Sequence, residues 1–256
     1  MKARIIAIAA GLILIAAIIV WAVALPSAEH EIGSYMTGLR GRTLSQIHNV
    51  ALSARQINNT VLMPGQTFSF CRAVGSWTAD RGYKKAPVSY DGELVRSWGG
   101  GVCQTSTTLY NAALLAGLQI IERNRHHWPA KYAPLGRDAA VAYEDIDLCF
   151  RNNLPEPVRI VCAIEGDELV CKIMSAYQPK YQVNVESEIR SVIRPKEVIQ
   201  DRAGPVNGRW RLINRGHPGF YVVTYRRFIY PNDTRRELLS KDRYPAMNRI
   251  VRVSER

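Results

Sequence analysis

The chain lacks the loops that hold common cofactors. Its 256 residues contain no Gly-x-Gly-x-x-Gly turn and no phosphate-binding loop, so neither a dinucleotide nor a nucleoside triphosphate has its usual cradle. The spacings C-x-x-C and H-E-x-x-H are also missing, which removes the familiar zinc frameworks. No long repeat is present, which excludes a solenoid or propeller. No cofactor and no metal are therefore expected.

Charge is missing altogether between residues 5 and 25, "IIAIAAGLILIAAIIVWAVAL". An apolar run of that length suits a helix that crosses a bilayer. Lys2 and Arg4 precede it, and Glu29 and Glu31 follow. The bias of cations toward the cytoplasmic side puts residues 1–4 inside as a stub and the bulk of the chain outside. The alternative is a cleaved signal peptide, for which Ala22-Val23-Ala24 is a passable site. Either way the chain is expected to be extracytoplasmic, at the cell membrane if the single span is kept.

Acidic residues are scarce toward the end. Residues 190–256 carry 16 Lys+Arg against 6 Asp+Glu, whereas residues 1–189 carry 18 against 16. A tail of that charge fits a membrane surface or an anionic wall polymer. Export argues against nucleic acid. A merely solvated surface is the plain alternative.

Cysteine is sparse and odd in number: Cys71, Cys103, Cys149, Cys162 and Cys171. The stretch "RIVCAIEGDELVCKIM" predicts a hairpin around Gly166-Asp167. Counting outward from a Glu165–Glu168 closing pair, Cys162 meets Cys171 at a non-hydrogen-bonded position, where two Cα atoms come close enough for a disulfide.

Thr43 and Gln46 form a capping box, and Leu44, Ile47, Ala51, Ala54 and Ile57 mark one face of the helix that follows, which ends at Asn58-Asn59. His48 falls off that stripe and reads as a surface residue. "VLMPGQTFSF" predicts a short strand pair about Pro64-Gly65, and "APVSYDGELVRSW" a hairpin about Asp91-Gly92. Gly99, Gly100 and Gly101 lead into a helix from about Cys103 to Ala116, with Gly117 at its end. "LQIIERN" is strand-like and runs into "HHWP", and the segment from Pro134 to Asn153 is also strand-like. Beyond Ala176 the pattern is strands only, with a hairpin at Asn232-Asp233. The expected fold is α+β: an N-terminal transmembrane helix, a mixed domain with a central Cys-bearing helix against an antiparallel sheet, and a small β-rich tail. The expected divisions are 1–4, 5–25, a linker at 26–42, a domain at 43–175 and a basic region at 176–256.

Cys103 stands at a helix start, where unpaired N–H groups and the helix dipole favour a thiolate. The three glycines would let backbone N–H groups approach an oxyanion. Gln104 lies beside the same loop. A nucleophilic thiol needs a base, and His126 and His127 follow the next strand. Asp138 is the candidate to orient the imidazole, with Glu122 second. The plain alternative is a tight glycine turn around a buried thiol.

The blocks "GGGVCQTSTTLYNAALLAGL" and "PLGRDA", within a stretch from about Val61 to Ile173, resemble the VanW family, named for an accessory of B-type vancomycin resistance clusters. The resemblance implies an exported or membrane-anchored protein of the cell envelope. It singles out Cys103. The family's strand reads like "ERHNHS", so His126 matches its second histidine, Asn124 replaces its first, and His127 is the weaker candidate. Cys71, Cys149, Cys162 and Cys171 stand outside the motif, which is consistent with a second disulfide, 71–149, and one free functional thiol. Two functions stay open. One is a cysteine-dependent amide hydrolase or acyl transferase on peptidoglycan, with Cys103 as nucleophile, His126 as base and Asp138 as orienter. The other is a non-catalytic wall-binding module, accessory to glycopeptide resistance or envelope maintenance, with Trp98 and Trp128 stacking on sugar rings.

Overall fold

The computed structural model describes residues 28–90, 93–200 and 209–254. Fifteen strands and three helices fill them. The α+β expectation is corrected: the described residues are mostly β. No helix among them is long and apolar enough to cross a membrane, so a transmembrane helix is no part of the fold as described. The 5–25 run and the Asp91-Gly92 turn lie outside the described residues. The balance shifted because the extra strands leave little periodic trace. β1 (His30–Gly38) reads "HEIGSYMTG", without clean alternation, inside the segment taken for a linker. β2 (Val61–Leu62) and β3 (Thr67–Ser69) are too short to alternate at all.

A four-stranded antiparallel sheet has the order β1-β9-β8-β2, with β8 at Val158–Glu165 and β9 at Glu168–Ser175. β3 does not pair with β2 across the Pro64-Gly65 turn. It joins β7 (Cys149–Arg151), which also pairs with β6 (Gln119–Glu122). β4 (Lys85–Tyr90) and β5 (Glu93–Trp98) form a hairpin. In the basic region, β10 (Gln182–Ile193), β13 (Gly219–Ile229) and β14 (Thr234–Tyr244) form one sheet in the order β10-β13-β14. β11 (Glu197–Gln200), β12 (Arg209–Asn214) and β15 (Arg249–Ser254) form another, in which β11 and β15 run parallel.

The three helices are α1 (Leu44–Ile57), α2 (Phe70–Val74) and α3 (Val102–Leu115). α1 starts with the expected capping box, Thr43 and Gln46 exchanging bonds. Its buried face differs from the apolar stripe. Leu44 is 86% exposed, while Gln46, Asn49 and Ser53 point inward. Each polar side chain has work there. Gln46 Nε2 donates to the Pro87 carbonyl, 3.0 Å, and Asn49 Nδ2 donates to the Lys84 and Gly100 carbonyls, 2.8 and 2.9 Å. Ser53 Oγ meets Thr105 Oγ1 at 2.7 Å. α1 thereby grips both the β4 hairpin and the glycine loop.

α3 is the central element, with Leu109, Tyr110, Ala112, Ala113 and Leu114 all fully buried. Fourteen residues span only about 21 Å. It ends in a Schellman motif: Gly117 at φ 77° donates to Leu114 O and Leu118 to Ala113 O. β1 crosses that end so closely that a Cβ on Gly33 would lie 2.3 Å from Ala116 N.

The Gly166 hairpin has the register read from sequence, Glu165 opposite Glu168 and Cys162 opposite Cys171. Gly166 sits at φ 60°, as the first central residue of a II′ turn requires. A disulfide joins Cys162 to Cys171 across Cα atoms 4.2 Å apart.

Two stability outcomes follow. Gly33→Ala should lower unfolding free energy by about 1–3 kcal/mol, because the clash is with helix backbone, which cannot turn aside. A urea midpoint unchanged from wild type would contradict that. Replacing Cys162 and Cys171 together by Ser should cost about 2–3 kcal/mol through the freed loop. Reducing the wild-type protein should reproduce the same drop in melting temperature.

Candidate active site

The site is built where α3 begins. Gly99, at φ 73°, and Gly101, at φ 113°, take backbone angles closed to other residues. A Cβ on Gly100 would lie 2.9 Å from Ala86 Cβ and from the Pro87 carbonyl. A Cβ on Gly101 would lie 2.7 Å from the Gln46 carbonyl. The loop is therefore wedged between β4 and α1, with Gly101 as the cap of α3. Cys103 follows, partly exposed, its Sγ 3.4 Å from the Val141 carbonyl.

The polar run after Cys103 anchors the segment that carries Asp138. Ser106 Oγ and Thr107 Oγ1 donate to the Ala139 carbonyl at 2.7 and 3.2 Å, and Ala139 N–H returns a bond to Thr107 Oγ1 at 2.9 Å. Asn111 Nδ2 donates to the Arg137 carbonyl at 2.8 Å. A bridge between Asn124 and Ala140 then brings the chain after β6 alongside.

This places His126 against both partners. Its backbone N–H and its Nδ1 reach Asp138 Oδ2 at 2.6 and 2.7 Å. Nε2 is left toward the thiol, with the Tyr132 hydroxyl at 3.4 Å. Burial pushes the Cys103 thiol up, but the imidazole beside it outweighs that and holds it below its usual value. Burial alone would lower His126, yet its bonds to Asp138 and Cys103 raise it to about 10. Asp138 would be raised by burial. The His126 bond and the Arg123 charge bring it down to about 2. The shifts describe a thiolate–imidazolium pair with a carboxylate behind it.

Asp138 has a second set of donors. Arg123 Nη2 lies 3.1 Å from Oδ1, Arg123 Nε donates to the Asp138 carbonyl at 2.6 Å, and the Tyr244 hydroxyl also donates to Oδ1. Arg123 Nη1 binds both oxygens of Asp242 at 2.8 and 2.7 Å. Arg123, Tyr132, Asp242 and Tyr244 were not singled out from sequence. The alternation of "KDRY" at 241–244 was the one local sign, and it puts Asp242 and Tyr244 on a single face.

Other candidates fall elsewhere. Gln104 is buried and turned away, its Nε2 donating to Thr37 Oγ1 and the Gly38 carbonyl at 3.0 and 2.9 Å. His127 is exposed and packs edge-on against Trp128. Glu122 Oε1 accepts from Asn124 and from the Asp147 N–H. His48 bonds the Gly82 carbonyl at 2.8 Å. Cys71 and Cys149 are free rather than paired. Ser69, not Cys71, lies opposite Cys149, and Cys71 has already entered α2. Cys149 Sγ lies 3.4 Å from Asp147 Oδ2, and burial with that carboxylate pushes its thiol up to about 12. Burial and Asp147 raise Cys71 as well. Of the three free thiols, only Cys103 is lowered. Among the described residues no group of three His, Cys, Asp or Glu side chains has the arrangement of a metal centre.

Part of the basic region is engaged in ion pairs and packing. Arg226 is buried and caps the end of α3, donating to the Leu118 carbonyl at 2.7 Å and pairing with Glu237. Arg227, Arg236 and Arg249 pair with Glu186, Glu188 and Glu197.

Comparison with known proteins bears on the same region. A relative from Bacillus subtilis (strain 168), the uncharacterized protein YoaR, is 40% identical over 149 residues, 58% of this chain and 49% of its own. The vancomycin B-type resistance protein VanW of Enterococcus faecalis (strain ATCC 700802 / V583) is 30% identical over 141 residues, 53% of this chain and 51% of its own. The chain thus spans about half the length of these relatives. A solved structure, HP0197-G5, aligns with 30% of this chain and all of its own at 22% identity, but a TM-score of 0.19 carries no argument. The family model described as VanW like protein matches residues 45–174, half of the chain, a span that includes Cys103, His126 and Asp138, and on that match the chain belongs to the VanW-like family.

Proposed function

We propose that this protein is an extracytoplasmic, cysteine-dependent enzyme of the cell envelope that cleaves or transfers acyl groups at amide bonds of peptidoglycan. One arrangement carries the reading: Cys103 at the start of α3, with His126 beside it held through Nδ1 2.7 Å from buried Asp138, and the lowered thiol agrees with it. A structural cysteine has no use for that arrangement, and Cys71 and Cys149 show what a plain buried thiol does instead. The Cys162–Cys171 disulfide supports an oxidising compartment. The substrate class rests on the vancomycin resistance in the name of the relative VanW.

The chemistry runs as follows. The Cys103 thiolate attacks the carbonyl carbon, and the C–O π pair moves to oxygen. In this reading the Cys103 N–H at the helix start and the neighbouring glycine N–H groups receive that oxyanion. Collapse breaks the C–N bond, and His126 Nε2–H protonates the departing amine. The thioester then yields to water, giving an acid, or to a second amine, giving a new amide. His126 takes the incoming proton in either case. Gln104 has no part, since its amide is spent on β1.

Cys103→Ala should abolish any change the wild type makes to a muropeptide profile. Identical profiles from both proteins, with Cys103 resisting alkylation in the folded state, would sink the enzyme reading. The pH dependence has a definite sign. The thiol is depressed, so reactivity should climb on the acid side of the ordinary thiol range. His126 is raised, so the imidazolium, and the stability its pairing supplies, is fully present below the unfolded histidine value and lost as pH rises toward about 10. Activity should therefore fall on that alkaline side. His126→Ala should move Cys103 alkylation to the alkaline side of the wild-type profile, at or beyond the ordinary thiol range, because burial and Asp138 then act unopposed; rates of carbamidomethylation against pH check this.

A further inference from the structure

The sheet β10-β13-β14 lies outside the family match, which ends at residue 174. Charge alone suggests a wall-binding role for it. Its inner face is aimed elsewhere. Along β14, Lys241 and Arg243 point outward while Asp242 and Tyr244 are buried. The Tyr244 hydroxyl accepts the Gly136 N–H at 3.0 Å, which commits its own proton to Asp138 Oδ1. Asp242 takes Nη1 of Arg123 with both oxygens, is itself steadied by Ser240 Oγ at 2.8 Å, and so fixes the plane from which Nη2 reaches Asp138. β13 closes the same corner. Thr224 Oγ1 lies 3.4 Å from the Gly136 carbonyl, and a Cβ on Gly136 would fall 2.2 Å from that hydroxyl.

Every donor to Asp138 Oδ1 is thus either on β14 or oriented by it. Oδ2 is left entirely to His126. Had water filled the place of Tyr244, the carboxylate could rotate and share Oδ2. A hydroxyl whose proton has one possible acceptor prevents that.

We propose that the C-terminal β10-β13-β14 sheet is a working part of the active site, and that Tyr244 and Asp242 are positioning residues acting on His126 through Asp138 and Arg123. This rests on the cysteine-enzyme reading. It adds that the Cys103–His126–Asp138 motif is incomplete without strands from outside the matched region.

The test uses the full chain and measures alkylation of Cys103 by iodoacetamide, peptide by peptide, from about pH 5 to about pH 10. Charged and titrating groups around the thiol are His126, Asp138 behind it, Tyr132 with Arg42 over its ring, and Cys71. None of them changes in the variants. Tyr244→Phe and Asp242→Asn, each folded by circular dichroism, should slow Cys103 alkylation near neutral pH about tenfold and move its profile toward alkaline pH. Cys71 and Cys149 should keep their slow rates. A purely structural role would lower the melting temperature and leave the profile where it was, so wild-type and variant profiles that overlay would overturn the proposal while sparing the cysteine-enzyme reading. An ordinary thiol profile in the wild type itself would overturn both. Should one variant fail to fold, the other decides.

Discussion

Asp138 is the constraint on which the rest turns. Its side chain is only 2% exposed, and a carboxylate so far from water would take up a proton unless its lone pairs were met. They are met by four donors: two from His126 on one oxygen, Arg123 and Tyr244 on the other. The charge survives burial and is presented to a single acceptor of influence, the imidazole. Everything nearby can be understood as holding two segments, 123–126 and 137–141, at the distance that makes this possible. Removing one of the four donors would leave a buried charge short of a partner, which is costlier than the bond's net value when intact.

Helix α3 bears that load at some expense to itself. Thr105, Ser106, Thr107 and Thr108 in succession are poor helix formers, since their hydroxyls compete for backbone groups. Here all four are turned to tertiary use, Thr108 through Thr37 of β1 at 2.8 Å. Thr105 meets Ser53 of α1, and Ser106 and Thr107 bind the strand-like segment beside Asp138. The helix owes its stability to being enclosed rather than to propensity. A more helical sequence would make a better helix and lose the grip on Ala139. The same exchange is visible in α1, where Asn49 and Gln46 occupy core positions to hold the backbone of the glycine loop and of β4 respectively.

The glycine loop shows why a tight turn and an oxyanion site are not competing descriptions. Each glycine from 99 to 101 has a steric reason to be there, whether a left-handed angle or a wall 2.9 Å or less away. Those reasons would hold in a protein with no chemistry at all. What they also do is bring backbone without side chains of its own to the start of α3, next to a thiol. Packing supplies the shape, and the lowered thiol supplies the reason to read that shape as a site.

What could be read in the sequence was whatever is decided locally. Cys103, His126 and Asp138 stand on one motif, and each declares its chemistry by residue type. The Cys162–Cys171 disulfide follows from counting pairs out of a two-residue turn, since parity in a hairpin is fixed by that turn. The same counting has no purchase on Cys71 and Cys149, which a long excursion separates and whose register ends at Ser69, two residues before Cys71. Apolar periodicity found α1 but drew its buried face only in part, because that face is partly polar: Ala54 and Ile57 are buried as expected, while Leu44 is exposed and Gln46, Asn49 and Ser53 take inward positions. Asp242 and Tyr244 were beyond any local rule. "KDRY" on an edge strand looks like ordinary solvated alternation until another element, 106 residues earlier in the chain for Tyr244, is known to lie beneath it. A buried carboxylate in a motif is nonetheless a debt visible in sequence: His126 can satisfy only one of its oxygens. One donor for the other, Arg123, lies within the motif, and the second, Tyr244, comes from the segment beyond it, where no local pattern ties it to Asp138.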